Sequence, residues 1–380
     1  MNKLPNGWEY KKLKYIGKAY TGMTPSTLDK ENFGDEHLFV TSADIKENKY
    51  IFNSIRKLSN KGFEKSRKFK KGDILYVCIG SIGKIALAGC DFTCNQQINV
   101  LRVNEGIDNE FVYYQLINSF PYISKFVSSG VVPIMNKTTF ENISIAIPPL
   151  EEQKRIASAL SKIDAYLENT IKLIEEKERF KKGIAKKLLT CKEGENVPEM
   201  RFKEFNDKWE TVKLGDILLY EQPKDYIVKS EQYNNKYKYP VLTAGKSFIL
   251  GYTNEEFGIY NKLPVIIFDD FTTDAKYVDF PFKVKSSAIK ILKSKYYNAK
   301  LIYELMKNIK FNARTHKRYY LSEYQHLKIK IPKSIKEQEY ISNFLSLLDA
   351  EIDNLKEQKE EIKKMKSGII KKLMSGEVRL

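Results

Sequence analysis

Two stretches of this chain are copies of each other, set 185 residues apart with no gap. Gln153, Ile156, Leu160, Ser161, Asp164, Ala165 and Asn169 recur as Gln338, Ile341, Leu345, Ser346, Asp349, Ala350 and Asn354. Further on, Glu175, Glu176, Lys181, Gly183, Ile184, Lys186, Lys187 and Leu188 recur as Glu360, Glu361, Lys366, Gly368, Ile369, Lys371, Lys372 and Leu373. A globular block precedes each copy. The blocks open alike, at Trp8-Glu9 with Leu13 and at Trp209-Glu210 with Leu214. A duplicated unit implies pseudo-twofold symmetry, and two similar heads on two similar rods suit an elongated target touched in two places.

The copies have a helical period. Ile156, Leu160, Ile163, Leu167, Ile174, Ile184 and Leu188 fall on steps of three and four, a heptad seam interrupted by Thr170, Lys177 and Lys181. The second copy is cleaner: Ile341, Leu345, Leu348, Ile352, Leu355, Ile362, Ile369 and Leu373, with Lys359 and Lys366 as the exceptions. Each spans about ten turns, on the order of 60 Å. Helices that long with narrow seams are seldom stable singly, so the simplest solution is an antiparallel coiled coil with a head at each end.

The blocks read as α/β (α+β). In the first, Lys71-Gly72-Asp73 turns into the apolar strand Ile74 to Ile79, Gly80 to Gly83 turns the chain, and Lys84 to Ala88 continues as a second strand. Gln97 to Val103 and Ile143 to Ile147 alternate as half-buried strands do, Asn109 to Phe126 reads as a helix, and Pro148-Pro149 ends the block. In the second, the strand candidates are Tyr239 to Leu242, Pro264 to Phe268 and Ala288 to Leu292. The boundaries are 1–148 for the first head, 149–190 for the first helix, 191–207 for a polar Gly- and Pro-containing linker, 208–332 for the second head and 333–380 for the second helix.

Sixty-five Lys and Arg face 48 Asp and Glu, a net charge of +17, which favours a polyanionic partner. No apolar run approaches the roughly 20 residues of a membrane span, and no amphipathic stretch lines bulky aromatics along one face, so a membrane partner is not expected. The N-terminus lacks a signal-peptide pattern and the cysteines are sparse (Cys78, Cys90, Cys94, Cys191), which suggests reduced thiols in the cytoplasm. Cys90 and Cys94 have no His or further Cys near them, so no metal site is expected.

Catalytic constellations are wanting. Gly80-Ser81-Ile82-Gly83-Lys84 resembles part of a phosphate loop, but its first Gly is misplaced and Ile85 stands where a Ser or Thr should hold magnesium; it reads as a turn. Asp270, Asp274 and Lys276 are too close together for a metal-dependent nuclease, and Pro148-Pro149-Leu150 lacks the flanks of a DNA-methylating motif. The chain reads as non-enzymatic, with no cofactor of its own.

Nucleic-acid signals are more numerous. The candidates are Arg67, Lys68, Lys70, Lys71, Asn136 and Lys137 in the first block, and Arg314, His316, Lys317 and Arg318 beside Tyr319-Tyr320 in the second. Lys and Arg contact phosphates, whereas Arg, Asn and Gln also read base edges through paired hydrogen bonds. Asn95-Gln96-Gln97 gathers three amides, the side-chain type suited to adenine.

In full length the chain resembles the specificity subunit of type I restriction–modification enzymes. The carrying residues are the helix starts Ile147-Pro148-Pro149-Leu150-Glu151-Glu152-Gln153 and Ile331-Pro332 to Gln338, and the helix ends Lys187-Leu188-Leu189-Thr190 and Lys372-Leu373-Met374-Ser375-Gly376. Pro198-Glu199-Met200-Arg201-Phe202 with Trp209-Glu210 is similar to the passage into a second recognition domain. The resemblance implies two target-recognition domains held apart by the helix pair, gripping a bipartite, asymmetric site in double-stranded DNA. It also implies docking of two adenine methyltransferase subunits that use S-adenosylmethionine, and of restriction subunits that use ATP and Mg. The alternative class is a stand-alone DNA-binding regulator or architectural protein, which would be complete without partners.

Overall fold

The computed structural model describes residues 4–128, 132–244, 247–313 and 317–380, which fold as two compact units, residues 1–173 with 355–380 and residues 174–354. The class is α/β with mixed sheets, and each unit is built on the same frame.

In the first unit, strands Gly17–Thr21, Ile98–Val103, Ile74–Val77, Ile85–Ala88 and Tyr50–Ile51 lie side by side in that order. All pairings are antiparallel except the last, Tyr50–Ile51 against Ile85–Ala88. Successive side chains of a strand leave opposite faces, so an apolar run without alternation must be covered on both sides. It is. Ile74, Tyr76, Leu87 and Leu101 enter a core with Phe111, Tyr114, Ile156 and Leu160, while Leu75, Val77, Ala86 and Val100 enter another with Val40 and Phe92. The second unit repeats the order with Leu218–Glu221, Ile289–Ser294, Val265–Asp269 and Ala275–Val278. There, Ile266, Phe268 and Leu292 face one core and Val265, Ile267 and Ile291 the other.

The helix expected over Asn109 to Phe126 is shorter. It runs Asn109–Asn118 and is followed by the turns Phe120–Ile123 and Ser124–Phe126. Pro121 is the reason, because it has no N–H to continue the ladder and suits the first turn of a new helix.

The duplicated residues at each long helix start are a clamp. The central helix is Leu150–Leu189 and the C-terminal helix Ile335–Met374. Gln153 Oε1 accepts from the backbone N–H of Asp108 (2.9 Å), the residue that caps Asn109–Asn118, and Gln153 Nε2 donates to the Pro148 carbonyl (2.8 Å). Gln338 repeats both bonds, with the N–H of the capping residue Asn298 (2.8 Å) and the Pro332 carbonyl (2.8 Å). One residue earlier, Glu152 receives a two-pronged guanidinium bond from Arg379 (3.0 and 2.7 Å), and Glu337 receives one from Arg201 (2.8 and 2.8 Å). Trp209 also donates to Glu337.

Three of the five polar interruptions of the seams, Lys177, Lys181 and Lys366, form cross-helix pairs, while Thr170 and Lys359 bond within their own helices. In the first unit Lys366 is paired with Asp164, which also accepts from the Tyr114 hydroxyl. In the second unit Lys181 is paired with Asp349, and Lys177 lies 2.6 Å from Glu351. Asp164 and Asp349 are duplicates, as are Lys181 and Lys366, so each helix offers an Asp early and a Lys late. Within each unit the two helix segments therefore run antiparallel. Apolar residues close the same seams, with Ile156, Ala157 and Leu160 in one core with Ile370 and Leu373, and Ala185 and Leu188 in one with Ile341 and Leu345.

The first head is also tied to the helices by a buried polar network. Lys49, 3% exposed, donates to Glu110 (2.7 Å), Tyr114 (3.0 Å) and Ser161 (2.7 Å). Burial would raise the Glu110 carboxyl, but bonds from Lys49, Ser161 and Tyr50 outweigh it and hold the group below the usual carboxylate value.

The Arg379 guanidinium likewise holds the Glu152 carboxyl below its ordinary value, against the opposing effect of burial. A depressed carboxylate contributes stability that is present above its unfolded pKa, about 4.3, and is lost as pH falls through the folded value. Arg379→Ala should lower the denaturation midpoint at neutral pH, and the difference from the parent should shrink on acidification. Urea melts across the acid range check this; an undiminished difference in acid would show that charge is not the stabilising element.

Candidate nucleic-acid interface

At one end of the first sheet several loops are stitched together. The Cys78 N–H donates to the Gln97 carbonyl (2.7 Å), and Met135 and Gly80 donate to Cys78 (2.8 Å) and Pro133 (3.0 Å). Gly22 and Met23 donate to Ile98 (2.9 Å) and Cys94 (2.8 Å). Only glycine fits at position 22, because a Cβ there would lie 2.2 Å from the Asn95 carbonyl oxygen.

This end carries the amide cluster. Asn95 Nδ2 donates to Gln97 Oε1 (3.0 Å), which also accepts from the Ser42 hydroxyl (3.2 Å). The Thr24 hydroxyl donates to Gln96 Oε1 (2.6 Å), and Gln96 is exposed. Two cations border the cluster: Arg67 donates to the Thr21 carbonyl (2.6 Å) and Lys84 Nζ to the Ser42 carbonyl (3.1 Å). The geometry presents amides and hydroxyls held in fixed orientation beside positive charge, the chemistry of base-edge and phosphate contact.

The other first-head candidates are dispersed. Lys68 pairs with Glu64 (2.7 Å), and Lys70 with Asp91 (2.7 Å), whose carboxyl Lys70 holds below its ordinary value. Asp91 also accepts from the Lys71 N–H (3.0 Å), while the Lys71 side chain is exposed. Asn136 caps the helix Lys137–Glu141, its Oδ1 accepting from Thr139 (2.8 Å), and Lys137 lies 3.4 Å from Glu141. Cys78 and Cys94 are buried, and burial pushes the Cys78 thiol up to about 12.

The second head repeats the stitching with other residues. The Asp270 N–H donates to the Ala288 carbonyl (3.2 Å) and the Tyr319 N–H to the Asp270 carbonyl (2.9 Å), matching the Cys78–Gln97 and Met135–Cys78 bonds of the first head. The Asp270 carboxylate is buried, accepts from the Tyr320 N–H (2.8 Å) and lies 3.5 Å from buried Lys290. It is an anchor for the 317–320 segment. Lys317 pairs with Glu323, and the Arg318 guanidinium sits 6.0 Å from the Phe271 ring centre. Arg314 and His316 lie outside the described residues.

Sequence reasoning missed Thr24, Ser42 and Lys84, which carry no local signal and meet only through tertiary structure. It also missed Tyr233-Asn234-Asn235-Lys236-Tyr237-Lys238-Tyr239, where lysines alternate with aromatics. Tyr239, with Lys238, Tyr252 and Phe280, lines a cavity of about 370 Å³. Among the described residues no three His, Cys, Asp or Glu are grouped to hold a metal ion, and no helix is long and apolar enough to cross a membrane.

The family model for the type I restriction modification DNA specificity domain matches residues 5–176 and 206–364, one match for each copy of the duplicated unit. The chain belongs to that family. It is 28% identical over 415 residues to the type I restriction enzyme MjaIX specificity subunit of Methanocaldococcus jannaschii, covering 100% of this chain and 95% of that one. A shorter match, 52% identical over 130 residues, covers 32% of this chain and 32% of the EcoR124I/EcoR124II specificity subunit of Escherichia coli. The fold is shared with the crystal structure of a type I S subunit from M. genitalium, at TM-score 0.65, 19% identity and 98% coverage of both chains. The chain is thus a type I specificity subunit, the non-catalytic component of a restriction enzyme whose catalysis resides in partner subunits. Family membership replaces the alternative of a stand-alone regulator.

Asp270→Ala would strand buried Lys290 and release the 317–320 segment. The expected cost is about 3 kcal/mol of stability, with faster proteolytic cleavage near residues 311–323. Denaturant melts and limited proteolysis check this, and a parental cleavage pattern would show that the anchor is dispensable.

Proposed function

We propose that this specificity subunit reads a bipartite, asymmetric site in double-stranded DNA, one half-site per head. The observation that supports the reading most is one frame with two different surfaces. The same sheet end carries Asn95, Gln96 and Gln97 in the first head, and Lys285, Ser286 and Ser287 with Lys317 and Arg318 in the second. A shared frame suits a shared task, and different side chains suit different base sequences. In the first head Gln96 and its neighbours offer the donor–acceptor pair that fits adenine, with Arg67 and Lys84 toward phosphate. Lys68, Lys70, Lys71, Asn136 and Lys137 are further candidate contacts on the first head, and Arg314 and His316 extend the basic segment of the second head in sequence. The helices serve as the spacer between half-sites. Two methyltransferase subunits carrying S-adenosylmethionine, and restriction subunits using ATP and Mg, complete the assembly in the cytoplasm. One structural relative is described as the structural basis of complex assembly and conformational transition of the type I R-M system.

Replacing residues 1–148 with the corresponding block of a relative should change one half-site and leave the other alone, read by methylome sequencing of the host. Within the parental head, Gln96→Ala should relax discrimination at one base pair by about 1–3 kcal/mol. If both half-sites change together in the chimera, the modular reading is wrong.

Spacing is a separate test. Matching four-residue insertions after Asn169 and Asn354 should lengthen each helix by about 6 Å. At about 3.4 Å per base pair that adds roughly one or two base pairs of preferred spacer. Binding to a series of spacers checks it, and an insertion protein that still prefers the parental spacer would refute the role of the helices as spacer.

A further inference from the structure

The first unit holds a second positively charged feature, which shares Lys84 with the amide surface. A cleft of about 760 Å³ lies between the first head and the C-terminal helix, within the first unit. Its charged lining is Lys46, Lys84, Lys363, Lys366 and Lys371 against one carboxylate, Glu47. Lys363 is neutralised by Glu47 (2.8 Å), and Lys366 by Asp164. Among the described residues no carboxylate pairs with Lys46, Lys84 or Lys371, which the structure leaves exposed.

Three unpaired cations facing one cleft repel one another, and low-dielectric walls focus their field. Such an arrangement is relieved by an anion that spans several charges. Continuity with the amide cluster indicates which anion. Lys84 belongs to both places: it lines the cleft and donates to the Ser42 carbonyl, while the Ser42 hydroxyl bonds Gln97. Lys46 follows Ser42 on the same loop. The turn that presents Lys84 is set by Gly83, whose φ of +90° is a left-handed conformation that favours glycine. The five-residue stretch that looks like a fragment of a phosphate loop is thus a rigid bracket for one lysine.

We propose that this cleft seats the phosphodiester backbone of duplex DNA flanking the half-site read by the first head. The C-terminal helix, through Lys371, then contributes to DNA affinity without reading sequence. The proposal rests on the reading of the first head as a DNA reader, and commits to DNA because the cleft continues the amide surface; an acidic protein segment is the competing occupant.

The test uses the full chain, alone and assembled with its methyltransferase subunits, carrying Lys46→Ala, Lys84→Ala and Lys371→Ala together. A control carries Lys192→Ala, Lys203→Ala and Lys208→Ala, three exposed lysines that remove equal charge elsewhere. Binding to a target duplex and to a scrambled duplex is titrated against salt. Removing one lysine–phosphate interaction should flatten the log–log slope by about 0.9. The cleft variant should therefore lose roughly two to three units of slope on both duplexes and differ from the control. An unchanged slope, or a slope equal to the control's, overturns the proposal. So does weakened capture of the methyltransferase at parental DNA slope, which assigns the cleft to an acidic protein surface. Failure of the DNA-reader assignment shows differently, as a parent assembly that does not distinguish target from scrambled duplex; the slope on the scrambled duplex still decides the cleft.

Discussion

The fold depends on a charge exchange written twice. Each long helix has too narrow an apolar seam to bury itself, and each carries an Asp in its first half and a Lys in its second. Antiparallel pairing is the arrangement that brings Asp164 to Lys366 and Lys181 to Asp349. A parallel pair in register would set Asp beside Asp and Lys beside Lys, which costs free energy in a half-buried seam. The ion pairs thus specify direction and register, while Ile156, Leu160, Ile341 and Leu345 supply the apolar burial.

From that pairing the heads inherit their placement within each unit. Gln153 and Gln338 join the cap of a short head helix to the start of a long one, and Glu152 and Glu337 receive an arginine at the same level. These side chains are buried and fully used, so they have little freedom to differ between the copies. The loops at the far end of each sheet have fewer such obligations, Gly22 and Asp270 being the exceptions. They are bonded mostly through backbone groups, as in the Cys78–Gln97 and Asp270–Ala288 links, and backbone bonds tolerate almost any side chain. A rigid frame with permissive loops is the physical basis for changing what is read without changing how it is held.

The heads are not equivalent in how they meet the helices. Tyr114, Glu110 and Lys49 build a network onto Ser161 and Asp164 in the first unit. In the second unit Glu304 stands on the short helix where Tyr114 stands on the first, and it pairs locally with Lys307. The duplicated Asp349 is left with Lys181 as its partner in an ion pair.

The sequence by itself determined the duplication, the helical period after Pro149 and the strands around Ile74, Ile85, Ile98 and Ile289, because these are local patterns. It determined the family as well, since the order of helix starts and ends survives in the chain. It misread Asn109 to Phe126 as one helix, where Pro121 breaks the ladder. It read Lys181 and Lys366 as flaws in a seam, because a heptad scores apolarity and cannot show a carboxylate arriving from 168 or 202 residues away. It grouped Lys68 and Lys70 with Arg67 by adjacency, although their neighbours Glu64 and Asp91 neutralise two of the three. Only the tertiary structure decided that Thr24, Ser42, Lys84 and Gln96 share one surface. A site of this kind is made by loops from separate strands, and its members are neighbours in space through backbone bonds that leave no periodicity in the chain.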